Sequence, residues 1–204
     1  MYKRYFKRFF DITVAIIALP FFFILLIIVG PIIYFSDKGS IFYNADRLGK
    51  NGKVFKMYKF RTMKMSAPDL RNADGSTFNS ETDPRLTKIG KILRKTSVDE
   101  IPQILNVLKG NMSLIGPRPD LPEHIHLYNN DEVRKLEVRP GITGLNQAYY
   151  RNTIPWKERI KKDIEYIDNI TLLLDIKIIF KTFFIIVKRS NVYSGGKDKI
   201  KDNE

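Results

Sequence analysis

ITVAIIALPFFFILLIIVGPIIYF, residues 12–35, carries no charge and is almost wholly apolar. At about 20 residues per helical crossing, it is long enough to enter or span a bilayer. A secretory signal would have a shorter apolar core with small residues at a cleavage site, and neither is evident. The flanks argue against a simple crossing. Lys3, Arg4, Lys7 and Arg8 precede the run, and Lys38, Arg47, Lys50, Lys53, Lys56, Lys59 and Arg61 follow it. Basic flanks stay on the cytoplasmic side, so both ends ask for the same face. Pro20 lies inside the run, where its missing N–H interrupts the helical ladder. A helix-break-helix hairpin that enters and leaves by the cytoplasmic face satisfies both features. The competing form is a single pass with a tolerated proline.

Outward from the anchor, the 204 residues suffice for one domain with a real core. Net charge is +13, with a pI near 9.8, which calls for a polyanionic partner: nucleic acid, an anionic lipid surface or a phosphorylated small molecule. Cysteine is absent, which excludes disulfides and thiol catalysis. Two histidines and no thiols leave no ligand set for structural zinc.

Asn51-Gly52 marks a turn between two apolar-rich β-prone segments within 41–63. Along the second segment Lys59 and Arg61 alternate with Tyr58 and Phe60, the pattern of an amphipathic strand with a basic face. Residues 66–84 are rich in turn formers and read as a surface loop or lid. Helical periodicity returns at Arg85 through Leu86, Ile89, Ile92 and Leu93, and a second helix is expected over 99–108. The GPRP segment at 116–119 reads as a rigid loop whose prolines aim Arg118, and RPGITG at 139–144 reads as a tight turn region. Two helices follow at 154–170 and 172–189. The second suits either a membrane interface or a core with snorkelling lysines.

Asp99 and Glu100 are the only acids between Asp83 and Asp120, set among Lys88, Lys91, Arg94 and Lys95. Such a pair suits a phosphorylated substrate: cations hold phosphate oxygens while a carboxylate binds Mg²⁺ or attacks phosphorus. Ser97-Val-Asp-Glu100 also matches a capping box, a purely structural motif. Pro102, one turn into that helix, argues instead for a kinked start that presents both acids.

KFRTM at 59–63, RKTSVDEIPQILNVLKGNMSLIGPRP at 94–119 and RPGITG at 139–144 resemble the bacterial sugar transferase family, in order and over most of the chain. These are monotopic phosphoglycosyl transferases, and the length suits a small, minimal form. The resemblance implies transfer of a phospho-sugar from a UDP-sugar to a polyprenyl (undecaprenyl) phosphate, with release of UMP, through a phospho-sugar bonded to an aspartate. It makes Asp99 the nucleophile, Glu100 its partner in holding Mg²⁺, and Arg94 the residue that orients Asp99. Lys59, Arg61 and the Pro117-Arg118-Pro119 segment would bind nucleotide and phosphate. Arg151 would join them from a stretch similar to the family's glycine-arginine-asparagine motif, in which Tyr150 replaces the glycine. The family's anchor has serine before its proline, about a turn further on than Leu19-Pro20 here.

The expected fold is therefore α/β, mostly α with a small β-hairpin. It comprises a re-entrant anchor at 1–36 broken at Pro20, a compact cytoplasmic catalytic domain at 37–193 with interfacial amphipathic helices, and a flexible tail at 194–204. The expected setting is the cytoplasmic face of a bacterial inner membrane, as the first membrane step of glycoconjugate assembly. Membrane lipid, UDP-sugar and polyprenyl phosphate are the expected partners; a homodimer is allowed and nucleic acid is not expected. The competing classes are a membrane-tethered nucleic-acid-binding protein and a non-catalytic scaffold. The basic residues are dispersed among acids and turns, and no recognition module is evident.

Overall fold

In a computed structural model, which describes residues 2–70, 78, 80, 82–150 and 153–188, the apolar run lies within one helix, α1 (Lys7–Asp37). The break expected at Pro20 is absent: the helix continues through both Pro20 and Pro31. Tertiary packing explains the continuity. Asp11, Ala15, Phe22, Val29 and Ile33 are buried, and they recur at helical spacing along one stripe. Phe22, Val29 and Ile33 pack with Phe60, Leu93 and Ile104, while Ala15 packs with Phe55, Met57, Val107 and Met112. Contacts on both sides of each proline hold the flanking turns in line. The rest of α1 is bare, with Ile17, Phe21, Ile27 and Phe35 exposed by 63%, 66%, 73% and 76%. It is the one helix among the described residues long and apolar enough to cross a membrane, with a mean hydropathy of 3.1.

The expected hairpin is present. Strands β1 (Phe42–Leu48) and β2 (Val54–Phe60) pair antiparallel, and the chain reverses where Asn51 and Gly52 adopt positive φ. Phe55 and Met57 face inward on β2, and Lys59 continues that face rather than a solvated one. Helix α2 (Lys88–Thr96) begins at Thr87, whose hydroxyl accepts from the Gly90 amide. A 3₁₀ segment (Val98–Gln103) then leads into the short helix α3 (Ile104–Leu108).

RPGITG is not merely a turn. Strand β3 (Ser113–Ile115) pairs in parallel with β4 (Gly141–Thr143). A Cβ on Gly141 would lie 2.1 Å from the Gly116 amide, so the two glycine-proline segments meet backbone to backbone. Beyond them come α4 (Leu145–Tyr149), α5 (Trp156–Asp168) and α6 (Leu172–Lys188). Tyr166, Ile167 and Ile178 form a third apolar cluster with Ile115 and Ala148. On α6 only Asp175 and Ile178 are buried, and Leu173, Phe180, Phe183 and Phe184 are exposed. The tail and Arg151 lie outside the described residues, as do residues 71–77, 79 and 81 of the expected loop.

Candidate active site

The capping box does not form. Ser97 takes a left-handed conformation (φ 58°) as the C-cap of α2, and the 3₁₀ segment after it has no side-chain cap. Glu100 reaches away from the Ser97 amide: its Oε1 accepts from Lys59 Nζ at 2.5 Å and lies 3.9 Å from Arg118 Nη1. The tight turn accommodates Pro102 and leaves the two acids in different surroundings. Asp99 is 8% exposed, while Glu100 stays half-buried at the cationic rim.

Burial dominates at Asp99 and pushes its carboxyl up to about 6; Lys59 and Arg94 oppose the rise and Glu100 adds to it. It is a desolvated carboxyl beside the Lys59 and Arg94 cations, a setting in which the ionised form can act as a nucleophile.

Arg94 donates its Nε–H to Thr62 Oγ1 at 3.0 Å, on the chain just beyond β2. Gly90 makes this approach possible, because a Cβ there would sit 1.9 Å from the Thr62 carbonyl oxygen. An isolated glycine inside a helical pattern is the sequence signal for such close packing. Pro117 is buried, Pro119 half-buried, and the Arg118 side chain 50% exposed. The structure thus brings Asp99, Glu100, Lys59, Arg94 and Arg118 to one place.

Arg61 is elsewhere. Its guanidinium pairs bidentately with Asp37 (2.6 and 2.6 Å) at the end of α1, and its remaining donors meet the carbonyls of Ser40, Met63 and Ile33. It clamps the C-terminus of the anchor to the body.

The metal question turns on the donor set. Among the described residues no group of three or more His, Asp or Glu could hold an ion. Mg²⁺ does not need one, since it commonly takes one or two carboxylates and completes its shell with water and substrate phosphates. Asp99 and Glu100 fit that demand as a partial shell.

An acidic pair among cations, on a body docked along an apolar helix, agrees with what comparison shows: the chain is of the sugar transferase class. More specifically, it belongs to the bacterial sugar transferase family, whose model matches residues 2–189. It is 43% identical over 189 residues to the galactosyl transferase CpsE of Streptococcus agalactiae, covering 89% of this chain and 42% of that protein. It is 40% identical over 187 residues to the exopolysaccharide production protein ExoY of Rhizobium meliloti, covering 86% and 83% respectively. It is 38% identical over 208 residues to the undecaprenyl-phosphate galactose phosphotransferase of Salmonella typhimurium, covering 94% and 42%. The chain thus spans less than half of the first and third relatives and most of ExoY.

Proposed function

We propose that the chain transfers a phospho-sugar from a UDP-sugar to undecaprenyl phosphate and releases UMP, through a covalent intermediate on Asp99. One observation carries the reading: a buried Asp99 next to a Glu100 held by Lys59 with Arg118 in range. An Asp99 oxygen attacks the β-phosphorus of the donor, and the bond to the bridging oxygen breaks with its electron pair leaving on UMP. An oxygen of undecaprenyl phosphate then attacks the same phosphorus. The aspartyl–phosphorus bond breaks, restoring the carboxylate. Glu100 and Asp99 would hold Mg²⁺, which supplies charge neutralisation at the diphosphate. Lys59 and Arg118 bind phosphate oxygens as charge shifts to the leaving group, and Arg94, fixed by Thr62, orients Asp99.

The names of relatives in Salmonella and in Aeromonas hydrophila carry the same acceptor, with galactose and N-acetylgalactosamine as the respective sugars. Membership of the family over nearly the whole chain disfavours the nucleic-acid-binding and scaffold alternatives.

The acceptor's lipid tail requires a site at the bilayer, and monotopic insertion from the cytoplasmic face meets that need. Its support is that both ends of α1 dock on the same body. Near the start, Arg8 donates to the Val107 carbonyl at 2.7 Å, and at the end Asp37 holds Arg61. A helix of this length extends about 46 Å, so a perpendicular crossing would draw the body into hydrocarbon. The exposed apolar face of α6 would rest at the lipid interface.

Incubation of the Asp99→Asn protein with a panel of UDP-sugars in nanodiscs tests the reading. UMP release should fall to background, and intact-mass analysis of the wild type should find the phospho-sugar on residue 99. Wild-type-like turnover by the variant would refute it.

A further inference from the structure

Behind the Pro117–Pro119 loop lies a buried cluster that the proposed chemistry does not use. The Asp120 carboxylate accepts from Lys135 Nζ at 2.5 Å, from the Tyr128 hydroxyl at 2.6 Å and from Trp156 Nε1 at 3.2 Å. Lys135 also pairs with Asp163 at 3.0 Å. The side chains of Lys135, Asp120 and Asp163 are 4%, 11% and 1% exposed. Two acids face one ammonium, so the cluster is one charge negative when all three are ionised.

Its cost is plain. A buried ion pair recovers little more than its desolvation, and an apolar substitute of equal volume often serves stability as well. Asp163 carries the strain: neither of its oxygens receives a well-aligned hydrogen bond. Stability alone is therefore a poor account of the arrangement.

What it holds is more telling. Asp120 follows Pro119 directly, and its carbonyl accepts from the Leu48 amide of β1 at 2.9 Å. Upstream of Arg118, the Gly116 amide donates to Thr143 and the Pro117 carbonyl accepts from Gly141, both at 2.9 Å. The backbone around Arg118 is thus pinned on both sides, with prolines fixing φ at 117 and 119, while the guanidinium itself stays half-exposed. Arg118, Asp120, Tyr128 and Lys135 line one cleft.

We infer that Lys135, Asp120 and Asp163 are positioning residues: a buried charged base that fixes the Pro117–Pro119 loop so that Arg118 meets the phosphate of the donor nucleotide. The inference rests on the proposed function for its ligand.

A double-mutant cycle on the full chain in nanodiscs tests this, with UMP binding measured by calorimetry. Lys135→Met should weaken UMP about tenfold in the wild-type background, a coupling within the range seen for residues of one network. In the Arg118→Ala background the same change should have almost no effect. Tyr128→Phe, which removes a single hydrogen bond, provides the second arm should Lys135→Met fail to fold; its smaller loss should likewise vanish with Arg118→Ala. Additive losses in the cycle would overturn the inference, because a merely structural defect would persist without Arg118. If the wild type fails to bind UMP at all, the proposed function fails instead, and the two failures are distinguishable.

Discussion

Replacement of Arg61 by methionine separates two roles that the sequence leaves superimposed. By family resemblance Arg61 binds substrate, yet all five of its N–H donors are engaged within the protein: two on Asp37, and one each on Ser40, Met63 and Ile33. Arg61 is 6% exposed and the Asp37 side chain 22%. Removing the guanidinium strands a partly buried carboxylate and an orphan carbonyl at the end of α1. Because water reaches Asp37 in part, the loss should fall at the lower end of the range for a broken buried pair, about 3 kcal/mol. For a chain of this size that is a fall of about 6–12 °C in Tm. Thermal unfolding in detergent reads the loss, and donor KM read on the same preparation should stay within about threefold, under 1 kcal/mol of binding. Asp37→Asn should cost nearly as much, and adding it to Arg61→Met should cost little more. The reasoning is refuted if Arg61→Met leaves Tm unchanged while KM rises about tenfold or more, a binding loss of about 1.4 kcal/mol.

Gly90→Ala drives a methyl into the Thr62 backbone and should cost about 1–3 kcal/mol, lowering kcat as Arg94 is displaced; thermal unfolding and UMP release check both effects. Glu100→Gln should move the midpoint of the Mg²⁺ titration of UMP release to higher metal, and an unmoved midpoint would remove Glu100 from the metal shell. Burial pushes Asp163 from its ordinary 3.8 up to about 6, so the folded state holds its proton more tightly and stability falls as pH rises through that window. The fall is on the order of 3 kcal/mol for a shift of about two units, and it should be absent from the Tm–pH profile of Asp163→Asn. Single cysteines at positions 5 and 38 should both resist a membrane-impermeant reagent applied to intact cells; labelling of one alone would establish a spanning helix.

Strong local signals were legible in the sequence. The apolar run gives α1, Asn51-Gly52 gives the hairpin, and helical periodicity gives α2, α5 and α6 to within a few residues. The acidic pair stood out because charge contrast is a property of neighbours in sequence. What escaped depends on distant partners. Pro20 should break an isolated helix, but packing against Phe60 and Val107 lies far along the chain. Ser97-Val-Asp-Glu100 satisfies a capping pattern, yet Lys59, 41 residues before Glu100, claims its carboxylate. β3 and β4 are three residues each, too short for alternation to register.

The same limit explains why the site residues divided as they did. Lys59 and Arg61 are two apart on one chain, and an alternating pattern assigns them a shared face and a shared role. β2 ends at Phe60, however. Lys59 continues inward to Glu100, whereas Arg61 swings to Asp37, so one motif supplies both a cation on the acidic pair and the clamp for the end of α1. Thr62, the next residue, carries the hydroxyl that holds Arg94. Three successive contacts within KFRTM tie the apolar helix α1 to the proposed nucleophile through four residues of backbone. A disturbance at the C-terminus of α1 should therefore reach Arg94 by a shorter path than one at its N-terminus, where Arg8 grips the carbonyls that end α3, Asp11 accepts from Ser113 and Leu114, and Lys7 pairs with Asp175.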